Sequence, residues 1–256
     1  DEFTGGRNER EWVQYLYEST RDSAASKNID LPPFEEFWAG EQIHVGQQLP
    51  DAEFMLERFR RDPEKYPLTT PSGKIEIYSE TIAGFGYDDC QGHARWYDRD
   101  EWLGAERSAS YPLHMISNQP KTRLHSQYDH GVTSRKNKIE GRERARLNSR
   151  EALRRKLADG DIIRVFNDRG SCLAGLEISD ALRDGVLELP TGAWFDSQQV
   201  KGEALEVHGN PNVLTPDIGT SRLAQGCSAH SCLVDIEKFE GQLPAVRAFQ
   251  QPAIKK

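Results

Sequence analysis

No two of the four cysteines, Cys90, Cys172, Cys227 and Cys232, are spaced as C-x-x-C, which argues against a zinc ribbon and a thioredoxin-type redox pair. Cys227 and Cys232 are near each other in sequence, but spacing alone establishes no disulfide, and a reducing compartment is mildly preferred. No apolar run approaches the ~18 residues needed to cross a bilayer, so membrane insertion is not expected. The opening DEFTGGRNER lacks both an initiator Met and a basic start followed by a hydrophobic stretch. That pattern predicts no secretory signal here, and a processed chain or a piece of a longer one. Two catalytic signatures are also missing. The histidines show neither H-x-x-x-H nor H-E-x-x-H spacing, and there is no G-x-S-x-G elbow, which disfavours a protein-ligated metal and a serine hydrolase.

What is present is a polar, patterned chain. Its 256 residues suffice for one large or two modest domains. Apolar residues make up 36% and charged residues 29%, yet large apolar side chains recur in patterned runs, so a packed core is expected. The net charge of −8 hides an asymmetry. Residues 134–156 hold ten Lys/Arg against three Glu, a net +7 that leaves −15 elsewhere. This basic stretch has no aromatic residues interleaved, so it predicts an exposed, solvated helix rather than a nucleic-acid site.

The first part of the chain predicts helices over 9–27, around Phe34–Trp38 and over 52–63, then a strand within 69–80 carrying Ile75 and Ile77 in alternation. Residues 84–107 read as a long ordered connection. From Tyr111 onward short strands predominate: 111–117, a hairpin over 161–179 turning at Asn167-Asp168-Arg169-Gly170, then 185–190 and 231–239, with a helix over 149–157 capped by Ser149. Such spacing suggests a barrel or sandwich, with a boundary near residue 105.

Residues 118–131, NQPKTRLHSQYDHG, concentrate polar chemistry. Ser126 and His125 are adjacent, so in an extended segment they point apart, which disfavours a nucleophile–base pair. A cradle for a nitrogen-rich, phosphorylated ligand needs neutral donors and acceptors with a few cations. Gln119, His125, Ser126 and Gln127 supply the former, and Lys121 and Arg123 the latter. A second polar segment, 208–230, offers Asn210, Asn212, Thr220, Ser221, Gln225, Ser228 and His230. Spacing alone does not choose between a ligand cradle and turn residues satisfying their own backbone.

Taken together, RLHSQ, GDIIRVFNDRG, TGAWFD (191–196) and NVLTPDIGTSRLAQG resemble the C-terminal cofactor-binding domain of molybdopterin oxidoreductases, most of all the dimethyl sulfoxide, trimethylamine N-oxide and biotin sulfoxide reductase group. TPSGKIEIYSETIAGF (70–85) is similar to the segment preceding that domain. The resemblance implies a mixed α/β chain: residues 106–256 form a six-stranded double-psi β-barrel, and residues 1–105 form the end of a preceding, partial α/β catalytic region. It implies a bis-molybdopterin guanine dinucleotide cofactor carrying molybdenum. Ser117, Asn118, Gln119 and Pro120 would line its dithiolene and pterin. Arg123 would face phosphate or a pterin oxygen, and His125, Ser126 and Gln127 would continue that wall. Asn212, Ala229 and His230 would contact the cofactor from the second segment. The implied chemistry is oxygen-atom transfer from a small S-oxide or N-oxide, with the cofactor doing the redox work.

Two features depart from the family. The molybdenum-ligating serine lies upstream of anything present here. The chain is therefore expected to be a C-terminal portion that works with the N-terminal catalytic region of the same enzyme and shows no turnover alone with reduced viologen. The sequence GRERARLNSREALRRKLADGD (141–161) stands where Pro-rich, mixed-charge sequence is expected; it reads first as an exposed, solvated helix, with a phosphate-facing patch as the alternative for one or two of its arginines. The rival reading is a stand-alone double-psi barrel binding module without molybdenum. A nucleic-acid binder acting through 134–156 is weaker still. Cytoplasm and periplasm both remain open.

Overall fold

The computed structural model describes residues 2–40, 42–49, 53–228, 230 and 232–251. The chain separates into two compact units, Asp1–Glu76 and Ile77–Lys256.

In the first unit, α1 (Glu9–Ala25) begins at Asn8, whose side chain accepts the Glu11 N–H while Glu11 reaches back to the Asn8 N–H. This reciprocal cap satisfies two of the donors that a helix start leaves free. Tyr17 on α1 stacks on Phe37 of α2 (Phe34–Ala39), with ring centroids 4.3 Å apart, and donates its hydroxyl to the Pro32 carbonyl. A third helix, α3 (Glu57–Arg61), is shorter than the periodicity predicts. The strand predicted within 69–80 does not form: the stretch runs through turns and bends, and Ile75 and Ile77 are exposed. Alternation alone does not make a strand when no neighbour supplies a ladder.

The second unit opens with α4 (Glu80–Gly84) and is built on eight strands: β1 (Leu113–Ile116), β2 (Arg144–Leu147), β3 (Ile162–Phe166), β4 (Ser171–Ile178), β5 (Val186–Glu188), β6 (Ser197–Val200), β7 (Glu203–Glu206) and β8 (Leu233–Lys238). Six of them close a ring in the order β1–β5–β2–β4–β3–β8 and back to β1. This is the double-psi β-barrel that the sequence motifs imply. The β6–β7 hairpin extends the sheet beside β4. Short helices α5 (Val132–Lys136) and α6 (Ser149–Arg154) lie in the connections.

Alternation fills the barrel. Leu113 and Met115 of β1, Ala145 and Leu147 of β2, and Ile163 and Val165 of β3 turn inward against Cys172, Ala174 and Leu176 of β4. On the outer side of the same sheet, Leu173 packs with Ile162, Leu205 and Val207, so β4 is buried on both faces. Residues before β1 join this unit through Glu101, whose carboxylate takes both Arg169 Nη atoms (2.5 and 2.9 Å) and the Leu233 N–H (2.7 Å).

Two expectations for the basic stretch are corrected. Residues 144–147 form a barrel strand rather than a solvated helix. The cap of α6 is Asn148, which accepts the Arg150 N–H, while Ser149 donates its hydroxyl to Asp180.

Candidate functional site

Strand direction gathers the polar segments at one end of the barrel. β1 and β5 run parallel, with Ile116 opposite Glu188, so the loops that follow them, 117–131 and 189–196, leave side by side. β8 is antiparallel to β1, with Leu233 opposite His114, so the end of the second polar segment enters at the same edge. The β3–β4 hairpin opens there too, since Phe166 pairs with Asp235 of β8. No local sequence pattern shows this convergence, because it arises from pairings between distant strands.

The 189–196 loop braces the 117–131 loop. Thr191 N–H donates to the Asn118 carbonyl (3.0 Å), and Trp194 Nε1 donates to the Ser126 carbonyl (2.7 Å). Gly192 has φ +91°, and a Cβ there would lie 1.9 Å from the His125 carbonyl oxygen. Only glycine allows so close an approach. His125 and Tyr128 themselves hold left-handed φ of 49° and 60°, conformations that cost of order 1–3 kcal/mol each and persist where surrounding structure enforces them.

Behind the loops lies a buried charge cluster. Arg123 donates to the His125 and Thr191 carbonyls (3.1 and 2.8 Å) and to Ser134 Oγ (3.2 Å), and its Nη2 lies 2.9 Å from Glu143. Lys138 bridges Asp129 (2.9 Å) and Glu143 (2.7 Å). Asp129 also accepts the Trp194 N–H at 2.9 Å. The Arg123 side chain is fully buried and its donors are held within the protein. In this arrangement Arg123 supports the wall from behind, its guanidinium turned to Asp129 and Glu143. Burial alone would raise the Asp129 carboxyl, but Lys138, the Trp194 N–H and Arg123 outweigh it and hold it below the usual range. His208 is also buried here, its Nδ1 donating to the Trp194 carbonyl at 2.7 Å. Burial and the nearby Lys138 charge push its pKa down.

Of the expected residues, Asn118, Gln119 and Pro120 line a cleft of about 150 Å³ together with Arg144, Arg146 and Glu188. Ser117 is buried. Gln119 closes the turn by donating to the Arg123 carbonyl at 3.1 Å, and His125, Ser126 and Gln127 are exposed on the continuing loop. In the second segment, Asn210 rather than Asn212 ties back to the wall, its Nδ2 donating to the Ala193 carbonyl at 2.8 Å. Asn212 is exposed in the short 3-10 turn Pro211–Val213. Among the described residues, neither Asn212 nor the exposed His230 hydrogen-bonds to the first loop. Ala229 lies outside the described residues. Sequence reasoning missed Asp129, Lys138, Glu143 and Gly192 as parts of the site. The TGAWFD motif was the one signal for Gly192, whereas the charge cluster emerges only from the fold.

This end of the barrel fits a nitrogen-rich, phosphorylated cofactor on its own chemistry. Among the described residues, Asn118 Oδ1, Thr122 Oγ1 and, in the second segment, Ser228 Oγ are buried with no protein partner. Buried polar atoms are rarely left so. A ligand bearing many N–H groups and oxygens would complete them.

Comparison with known proteins agrees. Residues 113–233 match the model of the molydopterin dinucleotide binding domain. The chain is 44% identical over 249 residues to a biotin sulfoxide reductase of Cereibacter sphaeroides, covering 96% of this chain and 33% of that protein. It is 44% identical over 256 residues to a trimethylamine-N-oxide reductase of Salmonella typhi, covering 98% and 30%. With a dimethyl sulfoxide/trimethylamine N-oxide reductase of Cereibacter sphaeroides it shares 42% identity over 253 residues, covering 98% and 30%. The chain thus spans about a third of the length of these curated relatives. Among solved structures, acetylene hydratase from Pelobacter acetylenicus superposes with a TM-score of 0.56 at 21% identity, over 70% of this chain and 25% of that one, a likeness of fold. These relatives support the molybdopterin reading over a stand-alone module without molybdenum. Residues 113–233 thus match a molydopterin dinucleotide binding domain, and over nearly its whole length the chain is similar to about a third of biotin sulfoxide, trimethylamine N-oxide and dimethyl sulfoxide reductases.

Proposed function

We propose that this chain is the cofactor-binding part of a molybdenum enzyme that reduces S-oxides or N-oxides, acting with an N-terminal catalytic region of the same enzyme. The observation that carries this reading is the meeting of the 117–131, 189–196 and 208–230 segments at one barrel end, where buried Asn118, Thr122 and Ser228 atoms have no partner among the described residues. When bound, the bis-molybdopterin guanine dinucleotide supplies the removal of an oxygen atom from the substrate.

The protein's part is to bind and orient. The Asn118 amide donates to Glu188 at 3.1 Å, so its oxygen is left to accept an N–H from the ring system. Ser117 to Pro120, with His125, Ser126 and Gln127, form one wall. Asn212, Ala229 and His230 would approach from the other segment. The Arg123–Asp129–Lys138–Glu143 cluster fixes the loop carrying the first wall, so that its polar groups need not reorganise on binding. Small S-oxides and N-oxides are the proposed substrates. Trp96, Trp102 and Trp194 are exposed and remain candidates to border their approach.

Elemental analysis of the complete enzyme containing this chain, with fluorescence of oxidised pterin released from it, tests the reading. Molybdenum and pterin together, with turnover of dimethyl sulfoxide, trimethylamine N-oxide or biotin sulfoxide by reduced viologen, are the expected result. Absence of both molybdenum and pterin overturns it.

A further inference from the structure

Strand β2 carries two arginines of the basic stretch. Arg144 and Arg146 alternate with the buried Ala145 and Leu147, so both side chains leave the barrel on its outer side. Arg144 meets Glu177 at 2.8 Å and donates Nε to the Asn137 carbonyl at 3.1 Å. Arg146 meets Glu177 at 3.3 Å and Glu188 at 3.1 Å. A cross-strand ladder on the outside of a barrel needs no further purpose.

Three observations ask for more. Among the described residues, neither arginine uses its Nη2 in a hydrogen bond, and Lys121, which lines the same cleft, has no hydrogen-bond or ion-pair partner. Thr122 Oγ1 and Asn118 Oδ1, on residues lining the same cleft, are buried without partners. Glu188 holds Asn118 Nδ2 and Arg146 through the same oxygen, Oε1, which fixes the amide with its acceptor free. The cleft thus joins uncommitted cationic donors to an uncommitted amide oxygen. Its volume, about 150 Å³, suits a phosphoryl group and the edge of a ring rather than a whole dinucleotide.

We propose that this cleft is a subsite for a phosphorylated, N–H-bearing heterocycle, in which Arg144, Arg146 and Lys121 grip the phosphoryl group while Asn118 accepts a ring N–H. It rests on the function proposed above, under which the occupant is the phosphoryl end of one pterin arm of the cofactor.

The test follows cofactor release from the complete enzyme by pterin fluorescence and molybdenum content, in sodium phosphate and in sodium chloride at equal ionic strength. In the unmodified enzyme, inorganic phosphate is expected to speed release relative to chloride. Arg144→Gln/Arg146→Gln is expected to release cofactor about tenfold faster in chloride and to lose the sensitivity to phosphate, a loss in line with charge-assisted bonds to an anion. Lys121→Gln, a single exposed change that keeps the fold, is expected to give a smaller shift in the same direction. Glu177→Gln breaks the ladder while keeping both cations, and retention at the level of the unmodified enzyme is expected. Unchanged release in both the double variant and Lys121→Gln overturns the proposal, as does Glu177→Gln losing cofactor as fast as the double variant. An unmodified enzyme without pterin or molybdenum removes the underlying function first, a separate and visible failure.

Discussion

Arg123 is the side chain on which the wall turns. Its guanidinium joins the His125 and Thr191 carbonyls, Ser134 and Glu143 in a site without solvent exposure. Removing one partner of such a buried cluster leaves an opposite charge unpaired, a loss of about 3–5 kcal/mol. Arg123→Ala is therefore expected to lower the unfolding free energy by that amount, read from the shift in denaturant midpoint, and a change under about 1 kcal/mol, as for a surface pair, would show that the cluster does not hold the loop. His208 adds a pH dependence. Its folded pKa lies below the unfolded value of about 6.5, so the unfolded chain takes up the proton first as the solution acidifies. Stability contributed by neutral His208 is present above pH ~6.5 and is lost as pH falls through the lower folded value. Asp129 and Glu101, both depressed, act in the same direction further down, losing their contribution as pH falls below the ordinary carboxylate values of about 4. His208→Gln should flatten the decline in urea midpoint between about pH 7 and 5.5. Parallel declines in variant and unmodified protein would assign the effect elsewhere.

Among the elements, the hairpin β3–β4 was legible because Val and Ile runs flank Asn167-Asp168-Arg169-Gly170, and the Asn167 side chain then anchors the turn to the Leu214 and Leu233 carbonyls. The β2 strand was hidden because two of its four residues are outward arginines inside a basic run, which looks like a solvated helix face. Its inward pair, Ala145 and Leu147, becomes meaningful only against β4 and β5. The predicted strand at 69–80 failed for the opposite reason, since Ile75 and Ile77 alternate but are exposed. The site was legible as two polar segments of the right residue types. Their meeting at one end depends on the parallel β1–β5 pairing and the return of β8, which no local pattern encodes. The close approach at Gly192 tests that meeting. Gly192→Ala places a Cβ against the His125 carbonyl, so the loops must separate, with a stability loss of at least about 1 kcal/mol and weakened cofactor retention. Retention and stability equal to the unmodified protein would mean that the 189–196 loop does not brace the wall. Leu176→Ala, in the barrel interior, is expected to lower stability by about 2–5 kcal/mol, with the loss read in the denaturation midpoint.

For the molecule as a whole, a barrel of small strands presents loops from distant parts of the chain at one end, where a rigid scaffold can hold strained backbone and buried charge. The acidic remainder of the chain pairs with much of the basic stretch: Arg144, Arg146, Arg154 and Arg155 each meet a carboxylate. That leaves the +7 segment less available to an outside polyanion than its charge suggests. Among the described residues no helix is long and apolar enough to cross a membrane. A structure of the complete enzyme with its cofactor bound tests the shared barrel-end site most directly. Asn118 and Gln119 from one segment and Asn212 or His230 from the other are predicted within hydrogen-bonding distance of the same molybdopterin dinucleotide cofactor. A cofactor resting against one segment alone, or at the opposite end of the barrel, would contradict it.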